Sequence, residues 1–450
     1  MMRDLSVGNE SRLIFQFAMP MLIGNVFQQL YNVVDSAIVG NFIGKQALAA
    51  VGSSFPIIFT LMSLLIGVAI GFTIVIAQYF GAKDMVDVKR SIDTLYVFLF
   101  IASIFISIIG ISFSRQIFQL IQVPGEVLPL AVQYFNIYMM GAVLYFGFNG
   151  ISAVLRGLGD SKTPLYFMIL STLLNIGLDL LFVVVFKLGV KGVAYATLLA
   201  QFITLLVLVV YLNKKHELVK VNFKKLVFDY PIFRKSMKIG FPIGFQQAFV
   251  AMSMMAMYWL VNRFGTNTAA AYSVVFRIDS FAAMPAMNFA NALSTFVGQN
   301  LGARKPERVK RGLISTISMT SAISVTLSIL TILFGTQIMK IFTQDPEVID
   351  IGKGYLLIVT GFYIVFTTMF QVGGVMRGAG DTFIPMLITF FALWVVRIPV
   401  CYFLSEEIGF TGIWWGIPIA WAVGLLLHSA YYLTGRWKKK VIINAAADQS

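Results

Sequence analysis

Apolar residues fill the chain in long runs separated by short polar stretches. The runs predict twelve helices over residues 13–39, 47–78, 92–113, 127–152, 164–186, 191–212, 236–262, 268–299, 312–334, 348–374, 383–404 and 411–434. A helix needs about 20 residues to cross the hydrocarbon of a bilayer, so the longer runs imply tilt or extension into the headgroups. Polar positions inside the runs are few. The segment Pro20 to Gly40 carries Asn25, Gln28, Gln29, Asn32 and Asp35, and four of these (Asn25, Gln28, Asn32, Asp35) are spaced to share one helix face. A carboxylate at membrane depth is costly unless protein or water surrounds it, which marks Asp35 as functional. The plainer alternative is a polar seam that joins helices.

The longest polar stretch, Asn213 to Lys235, divides the runs into two sets of six. The sets repeat. AQYFGAKDMVDVKR (77–90) aligns with GQNLGARKPERVKR (298–311) at an offset of 221 residues, AVLRGLGDSKTP (153–164) aligns with GVMRGAGDTFIP (374–385) at the same offset, and Pro20 corresponds to Pro242. Such agreement indicates an internal duplication. The expected fold is an all-α polytopic membrane protein, twelve transmembrane helices in two six-helix repeats around a central cavity. Its parts are an N-lobe over 1–212, a cytoplasmic linker over 213–235, a C-lobe over 236–434 and a cytoplasmic tail over 435–450. Each copy holds an RGxGD segment, Arg156–Asp160 or Arg377–Asp381, whose glycines suit a tight turn and whose Asp suits a helix cap or a pair with the Arg.

The duplication also sorts the buried acids. Asp35 falls on Ala256 or Met257 in the second copy and Asp179 on Val400, so both acids belong to the first copy alone. A residue needed only for the scaffold would be expected in both. Three polar sets surround them: Ser171, Asn175 and Asp179 on the fifth run, Thr197 and Gln201 on the sixth, and Tyr134, Tyr138, Tyr145 and Asn149 on the fourth. Each set alone reads as ordinary interhelical bonding; together they form a polar network around two acids. Two carboxyls sharing a desolvated pocket suit proton uptake and release, and the same groups ionised could hold Na⁺ with amide and carbonyl oxygens. In the second copy, Asp279 lies two residues from Arg277, on a different face, so the pattern predicts a structural ion pair between Asp279 and Arg397, with a substrate contact as the alternative.

Composition narrows the function classes. Of 450 residues, 58% are hydrophobic and 12% charged, well below the roughly 25% charged of soluble domains. The net charge of +14 is a topology signal once the charges are placed. With both termini inside, the outer segments hold only Lys45, Arg115, Lys187, Lys191, Arg263, Lys340 and Lys353, while the inner segments hold most of the 34 Lys and Arg. Contact with anionic lipid, not nucleic acid, is the implied use of that charge. Cys401 is the single cysteine, and His216 and His428 are far apart, so no metal cluster or catalytic histidine set is expected and the chain does not read as an enzyme.

On these features the sequence resembles the multidrug and toxic compound extrusion (MATE) family over essentially its whole length. The resemblance rests on YNVVDSAIVGNFIGKQALAAVG (31–52), the duplicated QxxGA(K/R) loops, the two RGxGD turns and twelve spans in two lobes. It implies a cation-coupled antiporter that exports amphiphilic, mostly cationic drugs by alternating access. Similarity to the DinF-type branch implies an ion-coupling set of Asp35, Asp179, Asn175, Tyr134 and Thr197. Gln28 resembles a substrate contact of that branch, and Asn32, Asp35, Tyr138 and Asn149 complete the expected substrate-binding set. The NorM-type branch places acids on the seventh and tenth helices. Here those helices carry Gln246/Gln247 and an uncharged run from Leu356 to Met376, which favours H⁺ over Na⁺ as coupling ion.

The expected partners are small organic cations and drugs and the membrane lipid, with no nucleic acid, no obligate protein partner and no cofactor beyond H⁺ or Na⁺. The expected location is the plasma (cytoplasmic) membrane. A lipid-linked oligosaccharide flippase of the same two-lobe architecture is the alternative, disfavoured because the acids of the first lobe do not suit a pyrophosphate headgroup.

Overall fold

The computed structural model describes residues 2–215, 217–221 and 226–443, and among them every regular element is a helix. Twelve long helices follow the predicted runs. The first six are α1 (Glu10–Ile43), α2 (Lys45–Gly81), α3 (Met85–Leu120), α4 in two pieces (Leu128–Met140 and Ala142–Gly157), α5 (Lys162–Val185) and α6 (Val190–Lys215). The second six are α7 (Tyr230–Asn262), α8 (Thr266–Gly302), α9 (Pro306–Lys340), α10 (Pro346–Ala379), α11 (Phe383–Ile408) and α12 (Phe410–Leu433).

Among the described residues, ten helices are long and apolar enough to cross a membrane, or eleven when the two pieces of α4, bent by 49°, count as one span. The remaining long helix, α8, is diluted by Arg277, Asp279 and the amides Asn288, Asn291, Gln299 and Asn300. Only 11% of the apolar stretch of α11 and 17% of that of α9 is buried. Large side chains such as Leu333, Phe334 and Phe403 therefore face outward, where lipid replaces water.

Among the described residues, three helices contain π-turns, a rare form that recurs at functional positions. They are Val39–Ile43 at the end of α1, Leu180–Val185 directly after Asp179, and Phe391–Arg397 inside α11.

The chain divides into two compact units, and the boundaries cut helices rather than loops. The first unit is Met1–Arg3 with Pro20–Gly244, and the second is Asp4–Met19 with Phe245–Ser450. The expected division at 212 and 236 is thus displaced: residues 4–19 group with the second unit and the start of α7 with the first. Parts of the expected linker and tail, including His216, Lys224 and Lys225, lie outside the described residues.

The duplicated loops show why. In the second unit, Leu5 N–H donates to Gln299 Oε1 at 2.8 Å, Asn300 Nδ2 donates to Leu5 O at 3.2 Å, and Lys305 Nζ to Ser6 O at 3.0 Å. Arg308 donates to Gly8 O at 2.8 Å and pairs with Glu10 at 3.1 Å. In the first unit, the segment leading into α7 is held the same way, with Asp229 N–H donating to Thr94 Oγ1 at 3.0 Å and Lys235 Nζ to Tyr79 OH at 3.2 Å. Each loop region thus clasps the approach to a proline-bearing helix.

Within the first unit, α2 and the start of α7 cross with backbones in contact. A Cβ placed on Gly67 would lie 2.3 Å from the Gly244 nitrogen, so no larger residue fits without movement. Of the two RGxGD turns, the first caps the helix that follows and the second makes a tertiary contact. Asp160 accepts from the N–H groups of Lys162 and Thr163 at 3.1 and 3.0 Å and from the Thr163 hydroxyl at 2.7 Å, while Asp381 accepts from Tyr431 OH at 2.5 Å. Gly159 and Gly380 hold φ of +79° and +91°, the left-handed conformation that favours glycine.

Candidate functional site

Asp35 on α1 and Asp179 on α5 meet in the interior of the first unit, each carboxyl within hydrogen-bond reach of the other. Asp35 is 7% exposed and Asp179 fully buried. Among the described residues, Asp35 Oδ1, both oxygens of Asp179 and Asn175 Oδ1 are buried and receive no hydrogen bond. Four acceptor atoms therefore lie in one region without a donor.

The surrounding groups are neutral. Thr197 Oγ1 donates to Val193 O at 3.1 Å, which commits its one proton. It must then accept from its other two neighbours, Asn175 Nδ2 at 3.3 Å and the Tyr31 hydroxyl at 3.4 Å. That arrangement turns Asn175 Oδ1 away from Thr197 and leaves it available. Tyr134 and Tyr138 lie with ring centroids 6.1 Å apart; Tyr134 is within electrostatic reach of both acids, and Tyr138 meets Gln201.

The structure places Asp35, Asp179, Asn175, Thr197, Tyr134 and Tyr138 in one region. The other expected substrate contacts make different bonds. Gln28 is exposed, Asn32 Nδ2 donates to Gln29 on its own helix at 3.1 Å, and Asn149 Nδ2 donates to Tyr145 O at 2.9 Å. Asn149 also lies beyond the bend in α4, on a piece that no longer continues the line of Tyr134 and Tyr138. Sequence reasoning overlooked Tyr31. Its signal was available: it precedes Asp35 by four residues and so shares its helix face.

A second constellation lies wholly within the second unit, on a cavity of about 240 Å³. The predicted ion pair is not formed. Asp279 accepts a hydrogen bond on each carboxyl oxygen from the hydroxyls of Tyr355 and Tyr363, eight residues apart on α10. No ion pair within 4 Å links Arg397 to an acid among the described residues, and its Nε is buried without an acceptor. Each oxygen of Asp279 is thus partnered by a hydroxyl and not by the guanidinium. Nearby, Gln246 Nε2 donates to Thr389 Oγ1 at 2.6 Å.

The MatE family model matches the chain twice, over residues 20–181 and 242–403, so each match begins on one of the paired prolines. The chain belongs to the MatE family. This MatE protein is 35% identical over 435 residues to the probable multidrug resistance protein YoeA of Bacillus subtilis, spanning 95% of this chain and 94% of the relative. It is 27% identical over 442 residues to the probable multidrug resistance protein NorM of Thermotoga maritima, spanning 96% and 94%.

Solved structures agree on the fold. An outward-facing multidrug resistance MATE family transporter of the MOP superfamily matches with a TM-score of 0.90 at 24% identity, covering 97% of this chain and 98% of that one. A MOP superfamily transporter from Pyrococcus furiosus matches with the same score, identity and coverage. The protein is therefore a multi-span membrane protein of a transporter family, with the twelve-helix MatE fold.

Proposed function

We propose that this MatE protein is a cation-coupled antiporter of the plasma membrane, both termini cytoplasmic, that exports amphiphilic, mostly cationic drugs by alternating access, with H⁺ as the coupling ion. The relatives' role in multidrug resistance supports the exported class. The observation that carries the coupling reading is the Asp35–Asp179 contact. Two ionised carboxylates so placed would set like charges side by side with three buried oxygens lacking donors. A proton shared between them removes the like-charge contact and gives two of those three oxygens a partner. Binding and losing that proton changes how Asp35 on α1 and Asp179 on α5 attract each other, which links the ion to the packing of the two helices. Tyr31, Tyr134, Asn175 and Thr197 surround the pair with neutral groups.

Na⁺ is the second reading, and a specific atom favours it. Asn175 Oδ1, unpartnered beside the acids, would complete an oxygen set for a hard cation, whereas a proton does not need it. Uptake of ethidium into inverted vesicles, driven separately by a pH gradient (interior acid) and by a Na⁺ gradient, tests both. Uptake driven by pH alone is the expected result. Uptake that follows Na⁺ at uniform pH would replace the proton reading, and uptake indifferent to both gradients would remove coupling from the site.

A further inference from the structure

The cavity of the second unit is walled by Phe366, Phe370 and Trp421, with Phe366 centroids 4.7 Å from Phe370 and 4.8 Å from Trp421. Its polar groups do not balance. Asp279, the acid that lines it, has both oxygens occupied by Tyr355 and Tyr363. Two guanidinium groups, Arg377 and Arg397, line the same space, and no ion pair within 4 Å neutralises either among the described residues. Asp279, Tyr272 and Cys401 lie within electrostatic reach of Arg397, and of these three only Asp279 carries a negative charge at neutral pH. A buried Nε–H without an acceptor is costly and is normally satisfied by protein, water or ligand.

We propose that this cavity is a binding site for aromatic carboxylic acids, with the carboxylate on Arg397 and the ring against Phe366, Phe370 and Trp421. A carboxylate is the acceptor that a guanidinium fork matches best, and it would cancel the excess positive charge of two arginines against one acid. The π-turn Phe391–Arg397 rotates the end of that segment away from the regular helix register and places Arg397 on the cavity. The volume, below the roughly 300–1,000 Å³ of drug-sized sites, suits a body of one or two fused rings. The site thus selects the charge opposite to that expected of the first unit's acids, and it requires no transport for its detection.

Calorimetric titration of the full-length protein in detergent tests the assignment with four probes of similar size: 2-naphthoate, 2-naphthylmethanol, 2-naphthylmethylammonium and octanoate. Saturable binding of 2-naphthoate is expected, at least about tenfold tighter than the alcohol or the ammonium. Arg397→Gln should erase that preference and Arg397→Lys restore part of it. Leu393→Trp, which fills the lined space, should weaken every probe. Equal binding of the ammonium and the carboxylate, or no binding of the carboxylate, overturns the proposal in the wild-type protein alone, whatever the variants do. Octanoate binding as tightly as naphthoate would assign the cavity to a fatty-acid headgroup and overturn the aromatic class. Because the readout is binding, its failure is distinct from failure of proton-coupled efflux.

Discussion

The hydroxyl of Tyr31 lies 3.4 Å from the hydroxyl of Thr197, joining α1 to α6 one helical turn before Asp35. Thr197 has already given its proton to Val193 O, so Tyr31 is the donor and its ring is fixed beside the acids. Tyr31→Phe keeps the ring and removes one neutral hydrogen bond, with a net effect of about 0.5–1.5 kcal/mol. Efflux should fall roughly three- to tenfold, since 1.4 kcal/mol is a factor of ten, with membrane levels unchanged. Ethidium uptake by inverted vesicles, normalised to protein by immunoblot, provides the measure. Wild-type rates in the variant would confine Tyr31 to packing.

Asp35→Asn and Asp179→Asn each leave a single carboxyl and an amide that can donate to it. Folding should survive, because the like-charge contact and the unpartnered oxygens are both relieved. Gradient-driven transport should drop to background in either variant. Thermal unfolding in detergent reads the first half of this expectation and vesicle uptake the second. A variant that still concentrates ethidium against a gradient would show that the pair does not couple.

Tyr355 and Tyr363 each donate to a different oxygen of Asp279. Replacing either by Phe leaves a buried carboxylate oxygen without its donor, a loss of about 1–3 kcal/mol. The double variant should be less stable than either single one, because the two bonds serve one group. A lowered unfolding temperature in both single variants is the expected record, and an unchanged one would mean that water replaces the hydroxyls at no cost.

Gly67 and Gly52 both lie on α2, yet only Gly67 meets backbone: its Cβ would sit 2.3 Å from Gly244 N, whereas Gly52 has nothing within 4 Å. Gly67→Ala should destabilise by about 1–3 kcal/mol through overpacking. Gly52→Ala should be neutral or raise stability by up to about 1 kcal/mol, as alanine favours the helix. Fluorescence-detected size exclusion after a heat step separates the two. Equal tolerance would contradict the close crossing of α2 and α7.

The spans were legible because apolar runs of membrane length are hard to produce by accident, and the duplication was legible because loop motifs recur at a constant offset. The acid pair could be read from residue spacing, as Asp35 and Asp179 stand out against apolar helices. Contacts that depend on direction were less accessible. Asn32 and Asn149 occupy plausible faces, but short amides readily bond to their own helix, and only coordinates show that they do. The partners of Asp279 were misassigned because charge was sought, while two tyrosines in a hydrophobic run look like core. The grouping of residues 4–19 with the second unit is not legible for a different reason: a polar stretch marks where a chain leaves the membrane, not where a compact unit ends.

That displaced boundary bears on biosynthesis. Residues 4–19 are made before Pro20–Gly244 but belong to the unit whose other residues are made after it, and the opening of α7 belongs to the unit already made. Residues 4–19 must therefore wait for partners some three hundred residues downstream, Gln299 and Asn300 among them. Severing the chain in the polar stretch after α6 would yield two fragments, each carrying a half-helix owed to the other.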